Sequence, residues 1–434
     1  MAWLYKVRGV DVSPMTEVRD GMNLEDLWAD IHDRGLQDAL IIRVGVKNNT
    51  VPKKSLTITY YRAINNLETT CPPSIGRADS RSKREGLTLK IILVAGDVAQ
   101  SEALGMLAQM LQKRGHETFE SFGYGREHPH SAVELIEQIN VADWVVVGMS
   151  EKADMEVWVA ATAREHNIPY AFYADTYGVP MLEAFERFRN TQPVLFVIND
   201  DEATLAKTLF PFATIVVTGN PRWEHFAFPK LTRAQAREKL NVSESRRVIL
   251  SVGDKFLAQN MIQFGATVEA IHQLGWERET DLLLSLHPGA LQSPEMYDEF
   301  ITCSGMKVQI IGKHVGISTG DILPACDLII NFTSTVAVQA AFMRLPTIDF
   351  CSVIAMRGKS AVRGRDPWPH TAAGASLPVY GASVPELADR MRQLDSNASY
   401  RSNLVFAQTR TYLAPGDPAN VGQALDRMCD ALRA

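Results

Sequence analysis

At 434 residues the chain is long enough for two or three domains of ~150 residues each, with ample interior for large cores. Apolar content of 46% and charged content of 22% are those of a soluble globular protein, and no apolar run approaches the ~18 residues a membrane span needs. The five cysteines, Cys71, Cys303, Cys326, Cys351 and Cys429, are odd in number and never spaced C-x-x-C, which argues against a disulfide framework or a cysteine zinc site. The opening M-A-W-L-Y-K-V-R-G-V-D-V lacks the apolar core of a signal peptide, so a cytoplasmic protein with reduced thiols is expected. The net charge of −6 conceals a basic segment. Between positions 43 and 84, nine basic residues (Arg43, Lys47, Lys53, Lys54, Arg62, Arg77, Arg81, Lys83, Arg84) meet two acidic ones (Glu68, Asp79), a balance of +7 that leaves −13 for the rest. Such a segment is either a surface for a polyanionic partner or a solvated hairpin.

Residues 1–86 are expected to form a small α+β appendage and linker. A helix is expected over 24–34 and two strands over 38–46 and 55–61, joined by K-N-N-T-V-P-K-K into a hairpin with a basic tip. The Pro-containing and charged stretch 71–86 reads as a linker. From 87 onward, short apolar runs alternate with helical stretches, the mark of a parallel sheet. Strands are expected over 89–95, 143–148, 169–174, 194–198 and 214–218, with a helix over 101–114, giving one doubly wound domain at 87–222. A second alternation has strands over 248–252, 281–286, 307–311, 327–331 and 347–350 and helices over 258–273, 294–303 and 335–343, giving a second domain at 223–384. Helices over 385–394, 400–412 and 419–432 make a tail, 385–434. The fold class is α/β: two doubly wound Rossmann-like domains in series, with an α+β amino-terminal appendage.

The stretch 326–351, C-D-L-I-I-N-F-T-S-T-V-A-V-Q-A-A-F-M-R-L-P-T-I-D-F-C, organises the second half. Leu328, Ile329 and Ile330 suit a buried parallel strand. Ser334 and Thr335 stand where a helix N-cap belongs, and Pro346 closes the helical run. The turn between strand and helix offers hydroxyls and free backbone N–H groups at the positive end of a helix dipole, which makes it an anion site or an ordinary capped helix.

Residues Thr333 to Ala340, read T-S-T-V-A-V-Q-A, resemble the donor-diphosphate turn of GT-B glycosyltransferases and their relatives, which often reads S-G-T-A-T-L-E-A. Gln339 falls where that family carries the acidic residue for the ribose hydroxyls, so it offers a bond without a charge. The D-I-L-P-A-C-D run at 321–327 is similar to the short helix and Asp that precede this turn in GT-B relatives, and G-N-P at 219–221 resembles their hinge between domains. The resemblance covers about 87–434. It implies a GT-B fold whose last helices cross back to the first domain, a nucleotide-sugar donor, a UDP-sugar, and no metal or further cofactor.

Ligands of open parallel sheets gather beyond the carboxyl ends of the strands, so the residues just after each apolar run carry the information. In the second domain these are Gly253-Asp254-Lys255, His287-Pro288-Gly289 and Thr333-Ser334-Thr335, with Gln339 one helical turn on. A glycine lets backbone approach a phosphate, Lys255 brings a mobile charge, and His287 can donate to a phosphate or sugar oxygen. In the first domain they are Gly96-Asp97, Met149-Ser150-Glu151 and Asp175 in Y-A-D-T-Y-G. V-A-G-D-V-A at 94–99 resembles the A-G-E-A-S-G-D turn of lipid A disaccharide synthases but lacks its second Gly and final Asp. Asp97 and Asp175 are the candidate bases; either could instead cap a helix. The loop 356–365 carries four cations, Arg357, Lys359, Arg363 and Arg365, fit to clamp phosphates or an anionic acceptor, or simply solvated.

Three functions fit this pattern. One is a glycosyltransferase acting on a hydroxyl acceptor, such as a hydroxylated base in DNA held by residues 43–84 and Arg357 to Arg365, or a cell-surface polymer. A second is a UDP-N-acetylglucosamine 2-epimerase, a family with a G-T-R-P-E turn and an H-V-E-A-G segment where this chain has Ala95-Gly96-Asp97 and Tyr173-Ala174-Asp175. The third is a nucleic-acid-binding module on an inactive GT-B body.

Overall fold

The structure is a computed structural model and describes residues 14–20, 40–47, 55–61, 88–151, 153–287, 293–312, 315–351, 368–412 and 423–433. The chain divides into two compact units, Met1–Arg84 and Glu85–Ala434. In the first, strands β1 (Pro14–Asp20), β2 (Leu40–Lys47) and β3 (Ser55–Tyr61) form an antiparallel sheet in the order β1-β3-β2. The expected hairpin is present, with β2 running against β3 from Leu40 opposite Tyr61 to Lys47 opposite Ser55. The strand β1 carries no apolar alternation in P-M-T-E-V-R-D and escapes a sequence reading. The expected helix over 24–34 and the linker over 71–86 lie outside the described residues.

The second unit contains two six-stranded sheets in which every strand pair is parallel. The first is built from β4 (Lys90–Ala95), β5 (Glu117–Phe122), β6 (Trp144–Gly148), β7 (Tyr170–Tyr173), β8 (Val194–Val197) and β9 (Thr214–Val217), in the order β5-β4-β6-β7-β8-β9. The second is built from β10 (Arg247–Val252), β11 (Thr280–Ser285), β12 (Lys307–Ile311), β13 (Leu328–Asn331), β14 (Thr347–Cys351) and β15 (Leu377–Tyr380), in the order β12-β11-β10-β13-β14-β15. This is the doubly wound α/β architecture that the alternation predicts. Two strands were not anticipated, β5 and β15, and both lie on sheet edges. E-T-F-E-S-F has no continuous apolar run, and L-P-V-Y contains a proline that an edge position tolerates. The helical stretch expected over 294–303 is a 3₁₀ turn, Pro294–Tyr297, followed by the helix Asp298–Cys303.

Central strands are apolar on both faces because both are covered. On one face of the first sheet, Ile92, Val94, Val145, Val147 and Phe172 pack with Phe185 and Phe188, whose rings lie 5.2 and 5.1 Å from that of Phe172. On the other, Ile91, Leu93 and Val146 meet the helix Val98–Lys113 and the last helix, Gln423–Arg433, through Leu425, Met428, Cys429 and Leu432. Each such burial contributes about 1.5–3 kcal/mol of transfer free energy. Arg114 pairs with Asp430 at 2.9 Å and also with Asp426, which ties that last helix down.

Both sheets have a topological switch point, where successive connections run in opposite directions. It lies between β4 and β6 in the first and between β10 and β13 in the second. Open parallel sheets bind ligands in the crevice that forms there, beyond the carboxyl ends of the strands.

Candidate functional site

The switch point of the second sheet is flanked by the turns that follow β10 and β13. After β13, the chain turns into the helix Thr335–Phe342 with Ser334 as N-cap. Thr333 adopts φ of 45°, an unfavourable region for a β-branched residue. The turn is held in that shape by its own side chains. The Thr333 N–H donates to Asp349 Oδ1 at 3.0 Å, the Ser334 N–H to Asn331 Oδ1 at 3.1 Å, and the Val336 N–H to Ser334 Oγ at 3.3 Å. The expectation of a turn full of free donors therefore needs correction, because three of its N–H groups are already engaged within the fold. Thr335, exposed at the first helical position, keeps a hydroxyl and an N–H with no carbonyl partner inside the helix. Asp349 is fully buried and its second oxygen accepts from Thr371 Oγ1 at 2.6 Å.

After β10, Gly253 is required by close packing. A Cβ there would lie 2.9 Å from both the Ser285 carbonyl oxygen and Asn260 Oδ1. The glycine thus serves the turn's own packing. Asn260, fully buried, accepts from the Asp254 N–H at 2.6 Å and donates to the Asp254 carbonyl and the Tyr297 hydroxyl, both at 3.0 Å. This clamp leaves Lys255 exposed at the apex, beside Phe256 at 70% exposure. His287, half-buried, follows β11 on the same edge, while Gly289 lies outside the described residues, as does the cationic loop 356–365. Gln339 is half-buried and faces Gly320 in the short helix Thr319–Ile322.

Gly253, Lys255, His287, Thr333, Ser334 and Thr335 are thus brought to one edge of one sheet, since β11, β10 and β13 are adjacent and parallel. A cavity of about 310 Å³ opens instead at the opposite edge, but there Arg233, Arg246 and Arg247 are already paired with Asp327, Asp281 and Asp395.

In the first sheet, Asp97 occupies the N-cap position of helix Val98–Lys113, yet its side chain makes no capping bond to that helix. Asp175, buried just beyond β7, has its backbone carbonyl held by Asn220 Nδ2 at 2.8 Å and its Oδ1 contacted by Gln100 Nε2 at 3.2 Å. Asn220 belongs to the G-N-P hinge and also caps the helix Pro221–Glu224. The sequence gives no hint of Glu156, which is fully buried and accepts from the Gly96 N–H at 2.7 Å and from Ser150 Oγ at 3.0 Å. Burial pushes its carboxyl up, against the opposing pull of its hydrogen bonds. His128 Nε2 lies 3.9 Å from Glu156 Oε2, and His128 Nδ1 is 3.2 Å from the Ser121 carbonyl. Both ring nitrogens face protein, so the pair pins the chain beyond β5 to the sheet edge.

The halves meet through a buried polar chain. Asn199 Nδ2 donates to the Tyr177 hydroxyl at 3.2 Å, Tyr177 donates to the Tyr412 hydroxyl at 3.0 Å, and Tyr412 lies 2.6 Å from His370 Nδ1. Among the described residues, no group of three or more His, Cys, Asp or Glu side chains is arranged to hold a metal ion.

No family model and no curated protein sequence matches the chain. Solved structures do. A UDP-N-acetylglucosamine 2-epimerase from Neisseria meningitidis, bound to UDP-GlcNAc, superposes with a TM-score of 0.52 at 13% identity, covering 79% of this chain and 99% of its own. S. aureus MnaA in its UDP co-structure gives 0.52 at 13% identity over 80% of this chain and 96% of its own. The wall teichoic acid polymerase TagF, in a variant soaked with CDPG, gives 0.51 at 15% identity over 79% and 88%. The chain has the GT-B fold. Each of the two sheets has a switch point, and the candidate residues divide between them: Asp97 and Asp175 follow strands of the first sheet, and the six residues named above follow strands of the second.

Proposed function

We propose that the protein is a glycosyltransferase that moves a sugar from a nucleotide-sugar donor, a UDP-sugar, to a hydroxyl acceptor. The observation that supports this most is the meeting of the turns after β10 and β13 at the switch point of the second sheet, with Lys255 on one and Ser334 and Thr335 on the other. A diphosphate at that crevice would receive the helix dipole, two hydroxyls and one mobile cation, the groups that stabilise a leaving diphosphate as its charge grows. Asp97 or Asp175, at the edge of the first sheet, would take the acceptor's proton. The basic balance of +7 between 43 and 84 supports a polyanionic acceptor, with a hydroxylated base in DNA as one candidate and a cell-surface polymer as another.

The test is a thermal-shift and calorimetric screen of UDP, GDP, CMP and their sugars. A ligand that binds the folded state raises the melting temperature, and UDP compounds are expected to do so. No response to any nucleotide would overturn the reading. A 2-epimerase is the second reading, favoured by the fold likeness to epimerases. Interconversion of UDP-N-acetylglucosamine with its 2-epimer without an acceptor would decide for it. Gel-shift titration with duplex DNA at rising salt tests the DNA acceptor, which predicts binding that weakens steeply with salt.

A further inference from the structure

Beside the switch point of the first sheet one buried side chain links the ends of two strands. Gln100, on the helix that follows β4, is 2% exposed, and its Nε2 donates both to the Met149 carbonyl at the end of β6 and to Asp175 Oδ1 beyond β7. An amide nitrogen has two hydrogens, so both are committed and the amide cannot flip without turning its oxygen onto two acceptors. Its Oε1 consequently finds no partner among the described residues. Gln100 reaches this position only because residue 148 is glycine, since a Cβ at Gly148 would lie 2.4 Å from Gln100 Oε1. A buried amide left half satisfied, with a glycine keeping space for it, calls for an explanation beyond packing. The neighbouring Tyr173 hydroxyl is equally buried and without a partner among the described residues, so two orphaned polar groups flank Asp175.

We propose that Gln100 is the positioning residue for Asp175, and that Asp175, held by Gln100 at its carboxylate and by Asn220 at its backbone, is the proton acceptor of the transfer reaction. This rests on the glycosyltransferase reading. In the step, the acceptor hydroxyl's proton passes to the Asp175 carboxylate. The acceptor oxygen bonds to the anomeric carbon as the bond from that carbon to the diphosphate oxygen breaks, and its electron pair leaves with the nucleoside diphosphate. Around the Tyr173 hydroxyl, at the end of β7, stand Asp175 and, from the helix Pro221–Glu224, Arg222 and Glu224, with Arg222 bound to Glu102 at 2.8 Å. An N–H donated to a carboxylate favours its ionised form, so losing it moves the ionisation to higher pH.

The experiment uses the full chain and the UDP-sugar that gives the largest thermal shift, and follows UDP release from pH 5 to 9 in wild type, Gln100→Glu, Gln100→Leu, Asp97→Asn and Asp175→Asn. In Gln100→Glu a second carboxylate beside Asp175 is expected to move the acid limb of the rate profile up by about one pH unit, a roughly tenfold loss at pH values below the limb that recovers by pH 9. Gln100→Leu moves it the same way by less, with donor KM within about twofold of wild type in both. Asp175→Asn abolishes the limb and Asp97→Asn leaves it in place. An unmoved limb in both Gln100 variants, or loss of turnover on Asp97→Asn alone, overturns the inference while UDP binding stands. A wild type that binds no nucleotide overturns the glycosyltransferase reading instead. A double-mutant cycle of Gln100→Leu with Asp175→Asn in urea then still reads the contact, with coupling expected at pH 7 and absent at pH 3.

Discussion

Replacing His370 by Asn should make the protein markedly less sensitive to mild acid. His370 is fully buried, packed 4.8 Å from the Trp368 ring, with Nδ1 2.6 Å from the Tyr412 hydroxyl. With Tyr177 donating to Tyr412, the Tyr412 hydroxyl is left to donate to Nδ1, and Nε2 has no partner among the described residues, so the ring is held neutral in the folded state. Burial lowers its pKa to about 3, against an ordinary value of 6.5. The folded value lies below the unfolded one, so the unfolded chain binds the extra proton. Stability is then full above about pH 6.5 and is lost as the pH falls from there towards 3. Integrating the linkage gives a loss of about 2 kcal/mol between pH 7 and pH 5 from this residue alone. Asn can present its Oδ1 where Nδ1 sits, keeping the bond to Tyr412 while removing the titration. Urea unfolding at pH 5, 6, 7 and 8 is the assay. Carboxylates contribute equally to both proteins, so the wild-type curve should fall about 2 kcal/mol further than that of His370→Asn between pH 7 and 5. Parallel curves would refute a buried neutral imidazole at this position.

Thr335→Ala and Lys255→Ala should each weaken UDP binding by about 1–3 kcal/mol, the cost of a lost bond to a charged group, read by calorimetry; unchanged affinity in both would remove these residues from the donor site. Asp349→Ala strips the Thr333 N–H and the Thr371 hydroxyl of their acceptor and should cost about 2–4 kcal/mol of stability in urea. A loss under about 0.5 kcal/mol would show that the turn holds its shape unaided. Gly253→Ala drives a methyl towards the Ser285 carbonyl and should destabilise by about 1–3 kcal/mol, whereas a neutral result would show that the turn has room to give.

The parallel sheets were legible because I-I-L-V-A, W-V-V-V-G and L-I-I-N are buried on both faces, and a continuous apolar run is a local signal. Edge strands such as β5 and β15 have one face half solvated and leave no such run. The turns at the strand ends were legible for the same reason, because a parallel sheet delivers each turn to the same edge. What shapes those turns was not. Asp349 is one polar residue inside T-I-D-F, and its role rests on Thr333 and Thr371, 16 and 22 residues away. Gln100 and Glu156 lie inside helices and act through partners 75 and 60 residues distant. No local pattern reports contacts of that range. Gly253 in a sequence does not tell close approach to a ligand from close approach to the protein's own backbone, because both leave the same mark.

A crystal structure of the full chain with UDP tests the central claim most directly. The account predicts the diphosphate in the crevice between β10 and β13, within hydrogen-bonding distance of the Thr335 N–H and of the Ser334 or Thr335 hydroxyl, with Lys255 turned towards it. UDP bound elsewhere, or excluded while Asp349, Asn331 and Ser334 hold the turn closed, would contradict it.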